Sequence, residues 1–424
     1  MSNTHSAPQF ARDLARSIIK PLPNNFVERP WGGTRIRQFK NLCALPDQRA
    51  IGGAGLGESF EIAAFDGDPE ACRFPSMVRL ANGELASLPA LLEAHGELIL
   101  GKEWVSRHGR CIPLLPKFLC VAELLSIQGH PPGHTEVYVT VDADPGATIR
   151  VGFRRNMDRQ LLQRELNAGL DAQRQFAAML NPETDWLLIQ LQLGSWFAAR
   201  DEPAAAGIDA LGEHLVVAGQ TRSASRLLET LKNQYWFMLD AMNEIELQPG
   251  QIIHNCNPPR FEANLGHAPA AEVHALGNPE AREFVMLEVR RPGPTLRAWD
   301  NVRFPMREVD IEGALDVLNL EATSADEFVV TPSATGDPAR QISVDSPNFR
   351  LEHIKLGPAE SLAITSAATH CLHVLEGAAL ISSEYSDVDA PLERGESAIV
   401  PEQVDVYNVA SGSAPIHIVK VDIP

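Results

Sequence analysis

The chain has 424 residues, 44% of them hydrophobic and 21% charged, the make-up of a soluble globular protein with two or three domains and enough apolar material for real cores. A formal net charge of −19 excludes a general nucleic-acid or anionic-membrane binder, and an anionic small ligand would need a local Arg or Lys cluster. The six cysteines (Cys43, Cys72, Cys111, Cys120, Cys256 and Cys371) form no CxxC pair, which predicts no disulfide framework and a reducing, cytoplasmic setting.

Phe10 to Ile19 is amphipathic and carries Arg12 and Arg16, but Asp13 interrupts it, and it reads as a short surface helix rather than a transit segment. No continuous apolar leader is visible and no run is long enough to span a bilayer, so no membrane partner is expected. From residue 21 to about 150 short alternating runs separated by Gly, Pro and Asp predict strands, with Leu98–Gly101 and Ile112–Leu125 strongly apolar. Leu162, Leu166 and Leu170 then recur every four residues, predicting an amphipathic helix over Arg155–Leu180 that Asn181-Pro182 stops. Trp186–Ala199 and Ala224–Asn243 are further helices. Strands return from Ile245 to Arg297, a short helix is expected at Glu312–Leu318, and Phe349–Ile423 reads as strands again. The layout is mostly β with a helical insertion: a β domain from 21–153 plus 244–305, a helical domain at 154–243, and a second β domain at 306–424.

The chemistry concentrates in Leu124-Leu125-Ser126-Ile127-Gln128-Gly129-His130, followed by Glu136. Side chains of a strand alternate between faces, so Ser126, Gln128 and His130 share one. Pro131, Pro132 and Gly133 predict a turn, and Glu136–Val141 the return strand of a hairpin, which brings Glu136 near Gln128 and His130. Donors converging on a sheet face are what a divalent metal requires. His370 and His373 also resemble a ligand pair, but their spacing of three suits a helix and their segment reads as strand, so they are taken as structural; for His254, His267 and His353 the sequence names no partner.

Assembled, these residues resemble the type I phosphomannose isomerases, zinc enzymes of the cupin superfamily. The likeness rests on Pro30-Trp31-Gly32-Gly33, on Gly57-Glu58-Ser59-Phe60-Glu61-Ile62, on Lys117-Phe118-Leu119 with the Ser126-to-Pro131 run, on Val273-His274-Ala275 and on Leu296-Arg297-Ala298. It implies a cupin-type jelly-roll catalytic barrel and a C-terminal cupin-like β-sandwich, in which Gly395, Pro401 and Asn408 fit a loose cupin hairpin pattern without its histidine. It implies one Zn2+ on Gln128, His130, Glu136 and His274; Arg297 as a charge-neutralising catalytic residue; and Ser126, Lys117, Trp31 and Arg303 around a hexose 6-phosphate. The reaction implied is interconversion of mannose 6-phosphate and fructose 6-phosphate through a cis-enediol, by a monomer or weak homo-oligomer. Glu288 and His134 both stand as candidates for the general base.

Three positions depart from the family pattern: Gly133-His134-Thr135-Glu136 replaces His-Lys-Pro-Glu, Gly293 replaces an aspartate, and a longer loop runs from Ile253 to Ala271 before His274. A metal-holding sugar-phosphate-binding protein that has lost turnover is therefore the second reading. An iron oxygenase using the same ligands is the third.

Overall fold

The computed structural model describes residues 8–42, 55–64, 75–131, 134–181, 186–212, 221–256, 272–386 and 389–424. Pro132, Gly133, Pro182, Cys43, Cys72, His267 and the loop segment 257–271 lie outside the described residues. The four described cysteines are free thiols.

The chain is sheet-rich, as its alternating runs predict, and its sheets stack in layers. A seven-stranded antiparallel sheet runs, in spatial order, Phe26–Gly33, Leu56–Phe60, Lys117–Val121, Phe284–Arg290, Glu136–Ala143, Ile252–His254 and Val329–Val330. Facing it is a five-stranded sheet of Leu296–Trp299, Ile127–Gly129, His274–Leu276, Thr148–Phe153 and Met242–Glu246. Leu119, Val121, Tyr138, Phe284 and Met286 from the first sheet interlock with Ile149, Val151, Ile245 and Leu276 from the second. The alternate residues of the seven-stranded sheet, among them Phe118, Cys120, Val137, Val139, Val285 and Leu287, bury against Leu351, Cys371, Ile399, Val419 and Val421 of a six-stranded C-terminal sheet. Burial on both faces is why Lys117–Val121 and Phe284–Arg290 read as nearly continuous apolar runs. Beyond the six-stranded sheet a four-stranded one closes a second sandwich over Ile354, Leu372, Val374, Ile381 and Val409.

Helices cover the outer face of the five-stranded sheet. Arg159–Ala177, Trp186–Ala198, Ala204–Leu211 and Thr221–Ala241 fall between its Thr148–Phe153 and Met242–Glu246 strands. Leu162, Leu166, Phe176, Leu228, Leu231 and Met238 pack on Ile127, Phe153, Ala275 and Trp299. The first of these helices is shorter than its periodicity predicts because Asp158 caps it, Oδ1 accepting from the Leu161 N–H at 2.7 Å. Asp310 caps Ile311–Val317 in the same way, accepting from Gly313 at 2.8 Å.

Two expectations are corrected. Leu88–Ile99 and Lys102–His108 are helices inside the stretch expected to be strands; Leu88, Leu91, Leu92 and Ile99 give the first a buried stripe at helical spacing. And Ile127–Gly129 and Glu136–Ala143 do not form a hairpin. The first pairs with His274–Leu276 and Leu296–Trp299, the second with Phe284–Arg290 and Ile252–His254. The chain between them crosses from one sheet to the sheet opposite. Alternation dictates which residues share a face but not which strand lies alongside.

Among the described residues no helix is long and apolar enough to cross a membrane.

Candidate metal centre

Because the two sheets face each other, Glu136 meets His130 across the sandwich instead of along a hairpin. Its Oε1 lies 2.7 Å from His130 Nε2 and its Oε2 lies 3.3 Å from His274 Nε2. One donor atom from each of these three buried residues falls within 4.8 Å of the others. Both Nδ1 atoms face backbone carbonyls, His130 that of Pro294 at 3.1 Å and His274 that of Glu272 at 3.1 Å. A carbonyl holding the Nδ1 proton leaves the Nε2 lone pair for a metal, the usual support of a ligating imidazole. Two imidazoles and a carboxylate fit a catalytic divalent site with open positions.

Cross-strand register sets the flanks. In the five-stranded sheet Gln128 lies between Arg297 and His274, its Nε2 3.2 Å from His274 Nε2 and its Oε1 accepting from the Ser126 hydroxyl at 2.9 Å. In the seven-stranded sheet Glu288 is paired with both Lys117 and Tyr138, and Arg290 with Glu136. The resulting charges interleave: Arg290 Nε is 3.2 Å from Glu288 and 3.5 Å from Glu136, while Lys117 Nζ is 3.2 Å from Glu288 and 2.9 Å from Glu58. Arg29 closes the row on Glu58, and the Tyr138 hydroxyl donates to Glu136.

This arrangement separates the carboxyls. Burial pushes Glu288 up to about 7, with Lys117 opposing. Burial acts the same way on Glu58, but Lys117 and Arg29 overcome it and hold the group at about 2. Glu136 stays well below the usual carboxylate range, because His130, His274 and Arg290 outweigh its burial. Burial lowers His274 to about 4, so near neutral pH it is an uncharged imidazole able to ligate.

Trp31, Lys117, Ser126, Gln128, His130, Glu136, Glu288 and Arg297 line one cleft, with His274 buried behind them. Its enclosed volume is about 60 Å³, enough for an ion and a few waters, so a larger ligand must extend through the mouth. Five cationic side chains (Arg29, Lys117, Arg290, Arg297, Arg307) face three carboxylates (Glu58, Glu136, Glu288) there.

Two residues expected beside the substrate lie elsewhere. Arg303 is buried, with Nη2 donating to the Leu124 carbonyl at 2.9 Å and Nη1 3.6 Å from Asp300, so its guanidinium ties loops together. His134 is half-buried outside the lining of the cleft, its ring against Gly293; burial, His130, Arg290 and Arg291 all lower its pKa. Arg290, Tyr138 and Arg29 escaped the sequence reading. Arg290 carried a usable signal, since it lies two residues from Glu288 on the same face of an otherwise apolar strand. His370 and His373 are structural, bonded at 2.8 Å to the Tyr407 hydroxyl and to Ser397 Oγ.

No family model matches the chain, and no curated protein matches it. Solved structures do. A phosphomannose isomerase from Salmonella typhimurium is 20% identical, with a TM-score of 0.61 over 95% of this chain and 99% of that one. A mannose 6-phosphate isomerase from Bacillus subtilis is 18% identical, with a TM-score of 0.59 over 96% and 99%. At such identities the likeness shows a shared fold along nearly the whole of each chain.

Proposed function

We propose that this chain is a zinc-dependent aldose–ketose isomerase that interconverts mannose 6-phosphate and fructose 6-phosphate. The observation that carries the reading is the pairing of a buried His-Glu-His centre with a cleft of surplus positive charge, in a chain whose net charge is −19. A cationic cleft in an acidic chain suits a small anionic substrate such as a sugar phosphate. The shared fold supports the same reading; we read the facing sheets as cupin-type, with domains at 21–153 plus 244–305, 154–243 and 306–424.

Gln128, His130, Glu136 and His274 would hold the ion. When bound, zinc would supply Lewis-acid stabilisation of the negative charge that develops on the sugar oxygens. The remaining work falls to the chain. Glu288 moves the proton between C2 and C1: it lines the cleft, and a carboxyl near 7 both accepts and returns a proton at neutral pH. His134, the other candidate, stands outside the lining. Lys117 remains protonated, because Glu288 and Glu58 outweigh its burial, and it offers a charged donor beside Glu288. Arg297 balances charge on the reacting sugar, with Ser126 and Trp31 on the walls.

The test is a coupled assay of mannose 6-phosphate conversion by metal-free and zinc-loaded protein. Turnover only in the loaded form is expected; none in either form rejects the assignment. Tight hexose-phosphate binding without exchange of the C1 or C2 proton would favour the binding-protein reading. A histidine pair with one carboxylate also suits non-haem iron. Iron on elemental analysis, with substrate-dependent oxygen uptake, would favour the oxygenase.

A further inference from the structure

Asn255 follows the strand Ile252–His254 and touches two members of the His-Glu-His group at once. Its backbone N–H donates to the Glu136 carbonyl at 2.8 Å, and its side-chain amide nitrogen lies 2.9 Å from His274 Nδ1. The residue is 6% exposed, and its Oδ1 is buried without a hydrogen-bond partner among the described residues.

The Glu272 carbonyl decides which amide atom belongs there. A carbonyl oxygen can only accept, and at 3.1 Å from Nδ1 it calls for the ring proton on Nδ1 and the lone pair on Nε2. The Gln128 amide nitrogen, 3.2 Å from Nε2, is a donor to that lone pair. An Asn255 NH2 group 2.9 Å from an Nδ1–H would set donor against donor. Exchanging the amide oxygen and nitrogen of Asn255, atoms of nearly equal size whose positions are assigned from their bonding, removes that conflict and gives Oδ1 a donor, with the NH2 group then at the buried position that has no partner among the described residues.

We infer that Asn255 is a positioning residue: its Oδ1 shares the Nδ1 proton of His274 with the Glu272 carbonyl and helps fix the tautomer that turns the Nε2 lone pair toward the metal, while its N–H tethers the strand carrying Glu136. The family likeness read from the sequence gives this residue no role; it notes only that the stretch from Ile253 to Ala271 departs from the pattern. The inference rests on the metal reading of the centre, yet its tautomer half holds without metal. The competing tautomer would place a proton on Nε2, donating to Glu136 Oε2 at 3.3 Å.

The experiment uses the full chain with Asn255→Asp, which keeps an oxygen acceptor, and Asn255→Leu, which removes it. Imidazole 15N shifts of the metal-free protein, assigned with a His274→Gln variant, read the tautomer. Chelator competition reads zinc affinity, and urea unfolding of the metal-free forms reads folding. Expected are a protonated Nδ1 on His274, zinc affinity down 10- to 100-fold in Asn255→Leu, and affinity near wild type in Asn255→Asp. A wild-type His274 protonated on Nε2 overturns the inference. So does an Asp variant that loses as much affinity as the Leu variant, or a Leu variant that binds like wild type. If the Leu variant does not fold, the wild-type tautomer and the Asp variant still decide. If wild type binds no zinc, the metal reading fails and the tautomer alone decides the role of Asn255.

Discussion

The imidazoles of His130 and His274 lie 5.2 Å apart, tilted by 31°, and they use their nitrogens alike: Nε2 toward Glu136, Nδ1 on a backbone carbonyl. A ligand that binds this arrangement only in the folded state stabilises it by mass action. Zinc at a hundredfold excess over its Kd should therefore raise the unfolding free energy by about 2.7 kcal/mol. Thermal unfolding with zinc and with chelator measures the gain. Glu136→Gln and His274→Ala should each abolish it. A zinc shift that survives both substitutions would put the ion elsewhere.

Glu288 gives two pH dependences of opposite sense. Burial lifts it to about 7, against an ordinary 4.5. A base must be unprotonated, so kcat/KM should rise through about pH 7 and then level. Glu288→Gln should remove that rise and lower the rate by about 10²- to 10⁴-fold. Stability runs the other way. The folded carboxyl keeps its proton to higher pH than the unfolded one, so its contribution is complete below 4.5 and lost as pH climbs through 7. The glutamine variant should therefore gain on wild type, in urea unfolding, above pH 7. An unchanged pH–rate profile in that variant would move the base to another residue.

His130 and His274 were legible from two signals, whereas Glu136 was placed beside His130 through a hairpin that does not form. The alternation from Ser126 to His130 assigns a shared face, and the family likeness supplied a distant histidine that spacing alone could not. What stayed hidden was pairing. Nothing local in Ile127–Gly129 says that its neighbours are His274–Leu276 and Leu296–Trp299 rather than the next strand along, since partner choice depends on contacts far away in sequence. The helices at 88–108 were hidden for a different reason: the Gly and Pro punctuation of that region suits strands as well as short helices. Asn255 was invisible because a buried amide bonded to an imidazole leaves no periodic trace.

Gly293 and His134, which looked like two separate departures from the family pattern, are one steric unit. A Cβ at position 293 would lie 2.5 Å from His134 Cε1 and 2.8 Å from its Nδ1. Gly293→Ala must then displace the imidazole, at a cost of about 1–3 kcal/mol as for other overpacked sites. In a His134→Ala background the same change should cost much less, giving a coupling of about 0.5–3 kcal/mol. A double-mutant cycle in urea measures it. Equal costs in both backgrounds would mean that His134 does not fill this space.

Five histidines away from the metal centre should make the fold sensitive to acid. Burial holds His254, His353 and His370 at about 4, and His373 and His417 at about 3, against an ordinary 6.5. His353 and His417 share a hydrogen bond at 2.9 Å, and His353 adds to the burial that keeps His417 uncharged. A depressed folded pKa means that the unfolded chain takes up the proton first. The stability each neutral imidazole lends is present above pH 6.5 and drains away as pH falls toward the folded value, by at most about 1.4 kcal/mol per pH unit and group. Carboxylates steepen the same limb, so the informative measurement is a difference. His254 is lowered by burial and its Nε2 has no hydrogen-bond partner among the described residues, which makes it the cleanest one to remove. Urea unfolding of His254→Leu from pH 4.5 to 6.5 should show a slope shallower than wild type by about one proton. Parallel slopes would mean that His254 is already charged in the folded protein, and that burial does not govern its ionisation.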